Sequence, residues 1–224
     1  AVITGCNRGI GKKILEVFSK NGANIFACSR TIDGEFESFL KDTKNKYGNE
    51  IIPIQLDLGN EIQIKDAASK ILSSKKPIDI LINNAGTIHT ALFQMTSIKK
   101  LKEIFDINFF SQTIFTQYIL KSMINNKKGN IIYISSTSGI DGNEGRSAYS
   151  SAKAAIIAQA KALSREVGLY NIRVNAIAPG LTDTDMMKNN TQEKVIQEMT
   201  SRTSLKRIGK PDEIANTVLI LSSE

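Results

Sequence analysis

Short apolar runs and longer amphipathic stretches alternate along the whole of this chain. The apolar runs fall at 1–4, 25–28, 51–56, 78–82, 131–134 and 172–177, and they are brief and rich in β-branched residues. Strands covered on both faces have this character, because neither face needs polar residues for water. Between them, apolar positions recur at helical spacing over residues 10–18, 35–47, 61–73, 97–125 and 147–169. Further on, Lys210-Pro211-Asp212-Glu213 reads as a helix start. Proline in a first turn forfeits no hydrogen bond, and the two carboxylates suit the positive end of the helix dipole. Strand and helix in alternation predict an α/β fold, a parallel sheet with helices on both faces. Right-handed crossovers make it a doubly wound, Rossmann-type three-layer sandwich. We find no repeat or linker, so residues 1–224 read as a single domain. The chain starts almost on its first strand and stops just after a helix, at Ser222-Ser223-Glu224. The expectation is a domain truncated at both ends that lacks its last strand.

Composition narrows the function classes. With 224 residues, 41% hydrophobic and 23% charged, the chain can bury one large core. No apolar run approaches the roughly 20 residues that span a bilayer, and no signal peptide precedes the first strand, so no membrane partner is expected. Two cysteines, Cys6 and Cys28, make no disulfide framework, and no Cys/His cluster has metal-ligand spacing. That usage fits a reducing compartment, the cytoplasm. His89 is the only histidine, so a Ser-His or Cys-His hydrolase would rest on that one imidazole. The net charge of +7 has two readings: an anionic ligand or carrier, or a solvated lysine-rich surface. The lysines are scattered over several helices without interleaved aromatics, which favours the surface reading and speaks against nucleic acid.

Chemistry enters with "TGCNRGIG" at 4–11, directly after the first strand. Gly5 permits the tight turn out of the strand, Gly9 lets backbone approach a pyrophosphate, and Gly11 lets helix and strand pack closely. The free N–H groups of the helix starting near Ile10 then face the anion. A bare glycine turn is the alternative, but its place between strand and helix favours nucleotide binding. The second strand ends "ACSRT", with Ser29 where an NAD-selecting fold places a carboxylate, and Arg30 next. A guanidinium pairs with a 2′-phosphate that a carboxylate would repel, and Arg8 adds a second charge. NADP(H) is therefore expected ahead of NAD(H).

"SAYSSAK" at 147–153 sets Tyr149 and Lys153 one helical turn apart, on one face. Alone, that is as much a surface contact as a catalytic pair. Its company decides. The chain resembles the short-chain dehydrogenase/reductase family throughout: the glycine loop, "DL" at Asp57-Leu58, "NNAG" at 83–86, "IN" at 107–108, "ISSTSG" at 134–139, "YSSAK" at 149–153 and "NAIAPG" at 175–180 occur in the family's order. "RIGKPDEIANTVLILSSE" resembles the late helix of 3-oxoacyl-acyl-carrier-protein reductase-like members. The resemblance implies a catalytic set of Asn108, Ser136, Tyr149 and Lys153. It implies cofactor contacts from Gly5, Asn7, Arg8, Gly9, Ile10, Gly11, Ser29, Arg30, Asp57, Leu58, Asn84, Ala85, Gly86, Tyr149, Lys153, Pro179, Gly180 and Thr182. Ser135 and Ser136 are adjacent; alignment selects the second, and strand alternation lets only one face the site.

The chemistry is coherent. A ketone reduction needs hydride at carbon and a proton at oxygen. A tyrosine near its ordinary pKa of about 10 donates slowly, and a neighbouring ammonium favours the phenolate. Ser136 can hydrogen-bond the oxygen as charge grows. By the resemblance, Lys153 also reaches the nicotinamide ribose and Asn108 holds a water linking Lys153 to solvent. The expected activity is NADPH-dependent carbonyl reduction, or the reverse alcohol oxidation, on a small-molecule carbonyl or alcohol, with 3-oxoacyl thioesters of acyl carrier protein among the candidates. Lys127 stands where the carrier reductases hold a basic residue flanking the cleft, but Tyr170 replaces the second. A sugar or small-ketone reductase, and a non-catalytic NADP-binding subunit, are the alternatives; Tyr149, Lys153 and Ser136 all being present argues against the last. Residues 182–206 match the family's substrate lid, where Met186 and Met187 either touch substrate or pack a surface helix. The helices at 97–125 and 147–169 correspond to the family's dimer interface, so a homodimer or homotetramer is expected.

Overall fold

The computed structural model describes residues 1–223. Strands β1 (Val2–Thr4), β2 (Ile25–Ser29), β3 (Ile51–Gln55), β4 (Ile80–Asn83), β5 (Gly129–Ile134) and β6 (Ile172–Ile177) form one parallel sheet in the order β3-β2-β1-β4-β5-β6. The helices are α1 (Gly9–Lys20), α2 (Gly34–Tyr47), α3 (Glu61–Ser73), α4 (Ile98–Phe105), α5 (Ser111–Asn126), α6 (Ser138–Asp141), α7 (Ser147–Val167), α8 (Asp185–Asn190), α9 (Glu193–Arg202) and α10 (Pro211–Ser222). The α/β doubly wound reading holds. The run at 78–82 pairs as a strand only from Ile80, although Ile78 is still buried.

Alternation along the strands sorts their side chains into two cores. Val2, Phe26, Leu81, Ile131 and Tyr133 face one way, against Ile71 of α3, Phe115 of α5 and Ile156 of α7. Ile3, Ile25, Ala27, Ile82 and Ile132 face the other way, against Leu15 of α1, Leu40 of α2 and Val218 of α10. The sheet is thus apolar on both faces, which is why its strands read as unbroken hydrophobic runs. Strand order reverses between β1 and β4, and the loops leaving those two strands part at the carboxyl edge and open a crevice there.

Local chemistry sets the helix ends. Asp33 accepts the Phe36 N–H at 2.9 Å to start α2, and Asn60 accepts those of Ile62 and Gln63 at 3.1 and 3.2 Å to start α3. At α10 the Glu213 carboxylate takes the Lys210 N–H at 2.7 Å, beside Pro211.

One segment differs from its sequence reading. The helix expected over 97–125 is broken by a π-helical turn at Asp106–Phe110. Asn108 is the cause: its Nδ2 donates to the Ile104 carbonyl four residues back, at 2.9 Å, so a side chain enters the ladder and one residue is left over. Residues 182–206, expected as the lid segment, hold α8 and α9, with α8 started by Thr184 accepting the Met187 N–H.

Gly11 sets the approach of α1 to the crevice. A Cβ there would lie 2.1 Å from Gly5 O and 2.5 Å from Asn84 Nδ2, leaving no room for a methyl group. Gly11→Ala is expected to cost about 3 kcal/mol, as overpacking against rigid backbone does. Urea unfolding measures it; a loss below about 0.5 kcal/mol would show that the loop yields freely.

Candidate active site

Lys153 lies on the buried side of α7 with 3% of its surface exposed, and its Nζ donates to the Ile134 carbonyl at 2.7 Å, where β5 ends. Ser135 Oγ donates back to the Lys153 carbonyl at 2.8 Å. Gly139, in the short α6, presses flat on the same residue: a Cβ there would sit 2.7 Å from the Lys153 carbonyl carbon. Three contacts thus clamp one turn of α7 to the end of β5. Tyr149, one turn earlier, presents its ring with the centroid 5.8 Å from Lys153 Nζ.

The two serines separate as alternation requires. Ser135 is buried and spent on α7. Ser136 points into the site, where its hydroxyl bonds the Tyr149 phenol and accepts the Ser138 N–H at 3.1 Å. Burial pushes the Tyr149 phenol above its ordinary value; the Ser136 hydroxyl and the Arg146 guanidinium pull the other way. Lys153 is not among the groups that pull it down, and burial lowers its own pKa to about 8. The Tyr149 phenol is accordingly protonated at neutral pH, and beside it lie Ser136 and an arginine that motif spacing did not single out.

Asn108 projects from the π turn to the loop after β4. Its Oδ1 accepts the Thr87 N–H at 3.1 Å, and its Nδ2 donates to Thr87 O and Ile104 O, both at 2.9 Å. Both amide protons are committed to the chain, so the side chain has only acceptor capacity left for a water. Gly86 is the spacer: a Cβ there would be 2.6 Å from Asn108 Oδ1 and 3.6 Å from Lys153 Nζ.

At the crevice, Thr4 and Asn84 lace the glycine loop to the segment after β4. Thr4 Oγ1 accepts the N–H groups of Asn84 and Ala85, each at 3.0 Å, and Asn84 Nδ2 donates to Thr4 O and Gly5 O at 2.9 and 3.1 Å. Asn84 therefore shapes the loop through its side chain. Gln112, which the sequence reading passed over, donates to Ala85 O at 2.6 Å from below. Gly5 and Gly9 take φ of +67° and +55°, the left-handed region that favours glycine. Asn7 and Ile10 are half-buried in the loop, and Arg8 and Arg30 are exposed at the ends of β1 and β2. Ser29 is buried and donates to Thr31 O at 2.8 Å. Asp57 Oδ1 accepts the Gly59 N–H at 2.8 Å, and Leu58 belongs to the core. Pro179 O accepts the Thr137 N–H at 3.0 Å, and Thr182 Oγ1 donates to Gly180 O at 3.0 Å, which brings the segment after β6 over the same edge.

These residues fit a dinucleotide. The open glycine cradle, free arginines at the edge and a buried ammonium with one carbonyl partner are the complement of phosphates and ribose hydroxyls. Among the described residues, no group of three or more His, Cys, Asp or Glu side chains could hold a metal ion, and no helix is long and apolar enough to cross a membrane.

The lid lies close to the loop: Gly9 would meet Thr184 Cγ2 at 3.4 Å if it carried a Cβ. Met187 is buried under it and Met186 half-buried. His89 is a half-buried loop residue after β4. Lys127 precedes β5 and Tyr170 precedes β6, so both stand at the opposite edge of the sheet from Ser136 and neither flanks the cleft of its own protomer.

Comparison with known proteins agrees with this geometry. The pattern of the short chain dehydrogenase family matches residues 1–195. The 3-oxoacyl-(acyl-carrier-protein) reductase of Aquifex aeolicus is 35% identical over 224 residues, covering 100% of this chain and 90% of the relative. An acetoacetyl-CoA reductase from an Acinetobacter strain is 32% identical over 224 residues, again covering 100% and 90%. A crystal structure described as an NAD(P)-dependent gluconate 5-dehydrogenase from Beutenbergia cavernae, with NADP bound at low occupancy, superposes with a TM-score of 0.92 at 25% identity, over 99% of this chain and 88% of that one.

The buried ammonium makes a stability prediction. Lys153 has a folded pKa of about 8 against an ordinary 10.5, so the penalty is full below pH 8 and fades as pH rises to 10.5. Lys153→Met is expected to stabilise the cofactor-free protein at neutral pH by roughly 1–3 kcal/mol, with the advantage shrinking as pH rises through that window. Urea unfolding at several pH values measures it; a variant less stable at neutral pH would contradict a desolvated charge.

Proposed function

The chain belongs to the short-chain dehydrogenase family and is an oxidoreductase of the CH–OH/C=O class, and within that class we propose that it reduces a carbonyl with NADPH, or runs the reverse oxidation. The observation that carries the reading is the convergence of Ser136, Tyr149 and Lys153 at the carboxyl edge of the sheet, beside a glycine cradle.

The nicotinamide supplies the hydride when bound. Tyr149 gives its proton to the carbonyl oxygen. Ser136 hydrogen-bonds that oxygen and steadies the phenolate left behind. Arg146 adds positive charge beside the phenol. Lys153 holds the second positive charge near the ring, and cofactor ribose hydroxyls are the polar partners that would favour its ammonium. Asn108 positions the Thr87 loop and the π turn behind Lys153. Arg8 and Arg30, exposed with no acidic residue at the end of β2, would receive the 2′-phosphate of NADPH.

For the substrate, the relatives named as 3-oxoacyl-carrier and acetoacetyl-CoA reductases support a 3-oxoacyl thioester. A small polar ketone is the second reading, favoured by Tyr170 in place of a basic residue and by Lys127 lying away from its own cleft. Self-association is part of the proposal: Phe93, Met95, Ile98 and Phe110 are exposed around α4 and the π turn, between 51% and 74% each. A homodimer or homotetramer covers them, and sedimentation of a monomer alone would reject it. The free, buried Cys6 and Cys28 suit a reducing cytoplasm.

Tyr149→Phe is expected to lower kcat for acetoacetyl-thioester reduction by about 100-fold or more, with NADPH affinity nearly kept. The wild type should bind NADPH more tightly than NADH. Full turnover in Tyr149→Phe would reject the proton donor, and a preference for NADH would reject the role of Arg8 and Arg30.

A further inference from the structure

Arg146 stands three residues before Tyr149, immediately before α7, and it is half-buried beside the phenol. Its Nη2 donates to Thr191 Oγ1 at 2.7 Å and more loosely to Asn190 O at 3.4 Å, both at the junction of α8 and α9. Thr90, from the loop after β4, reaches the same Asn190 carbonyl at 3.4 Å. The guanidinium therefore walls the cleft between the lid and the proton donor.

Among the described residues it has no counter-ion. Among the described residues, no carboxylate lies within ion-pair distance of Arg146, and its acidic sequence neighbours Asp141 and Glu144 are exposed. Burial disfavours its charge, and the Tyr149 phenol offsets that burial only when ionised. Lys153, from the same helix, adds a second buried cation to the site. Two cations share a cleft with no anion, an arrangement that is costly until something negative enters. Both hydrogen bonds of the guanidinium leave from Nη2, so its Nε and Nη1 N–H groups remain as charged donors for a carboxylate or phosphate oxygen.

We propose that Arg146 is a specificity residue whose guanidinium receives an oxyanion, a carboxylate or a phosphate, carried by the substrate close to the carbonyl that Tyr149 protonates. The inference rests on the reductase reading of Tyr149 and narrows the substrate to keto compounds that bear a negative charge. The anion would be held under the lid, because the same side chain grips Thr191.

The test is NADPH oxidation with two matched pairs: acetoacetate against ethyl acetoacetate, and dihydroxyacetone phosphate against dihydroxyacetone. The wild type is expected to favour the anion of at least one pair in kcat/KM by roughly 10- to 100-fold, the size of a charge-assisted hydrogen-bonded pair, and the favoured pair identifies carboxylate or phosphate. Arg146→Gln should bring that ratio to near 1, and Arg146→Lys should keep part of it. Any effect on the Tyr149 acid is common to both members of a pair and cancels in the ratio. Thr191→Val removes the lid bond but leaves the charge, so its ratio should match the wild type. A wild-type ratio near 1 for both pairs, a ratio unmoved by Arg146→Gln, or a ratio lost equally in Thr191→Val would overturn the proposal. No NADPH oxidation with any of the four compounds, nor with acetoacetyl thioesters, would instead reject the reductase reading beneath it.

Discussion

An ammonium ion held inside the protein, with the Ile134 carbonyl as its one hydrogen-bond partner, is the constraint around which this site is built. Burying such a charge costs several kcal/mol, and nothing in the core needs it. The surroundings fix its position firmly. Ser135 bonds its backbone, Gly139 lets α6 press against it, and Gly86 leaves space for its tip beside Asn108. Tyr149 is placed as a consequence, one turn away on the same helix, where the Ser136 hydroxyl meets the phenol.

The fold brings these pieces together through its topology. Parallel strands send their following loops to one edge, and the reversal between β1 and β4 separates the glycine loop from the loop after β4. Thr4 and Asn84 then stitch the two loops across the crevice, so the cradle is rigid. The π turn at Asp106–Phe110 gives the reverse case, a helix left imperfect so that Asn108 can reach Thr87. The π turn and the positive-φ glycines Gly5 and Gly9 lie close to Lys153 or in the glycine loop, as expected where local rules yield to function.

Much of this was legible in the sequence because it rests on local patterns. Buried parallel strands must be apolar on both faces, so the six runs stand out, and a phosphate loop must carry glycine where φ is positive or backbone packs on backbone, so Gly5, Gly9 and Gly11 do too. The family resemblance selects Ser136 over Ser135, and alternation requires only that the two face opposite ways. The rest depends on tertiary contact. Asn108 breaks its helix by donating its amide to both Thr87 and Ile104, which no periodicity reveals. Arg146 belongs to none of the motifs in the sequence; its meaning lies in its nearness to Tyr149 and to Thr191, forty-five residues on. The bounds of the lid helices were not legible, because α9 buries no side chain and α8 buries only Met187, so little core contact marks where they start and stop. The lysine expected from spacing to acidify Tyr149 is itself held back by burial, a balance that only a structure exposes.

The central claim is that Lys153 is a desolvated ammonium awaiting polar partners, and its own titration tests this most directly. With lysine side chains isotopically labelled and Lys153 assigned through its methionine variant, NMR should give a pKa of about 8 in the cofactor-free protein, rising when NADPH is added. An ordinary lysine value near 10.5 without cofactor, or no response to NADPH, would contradict the account.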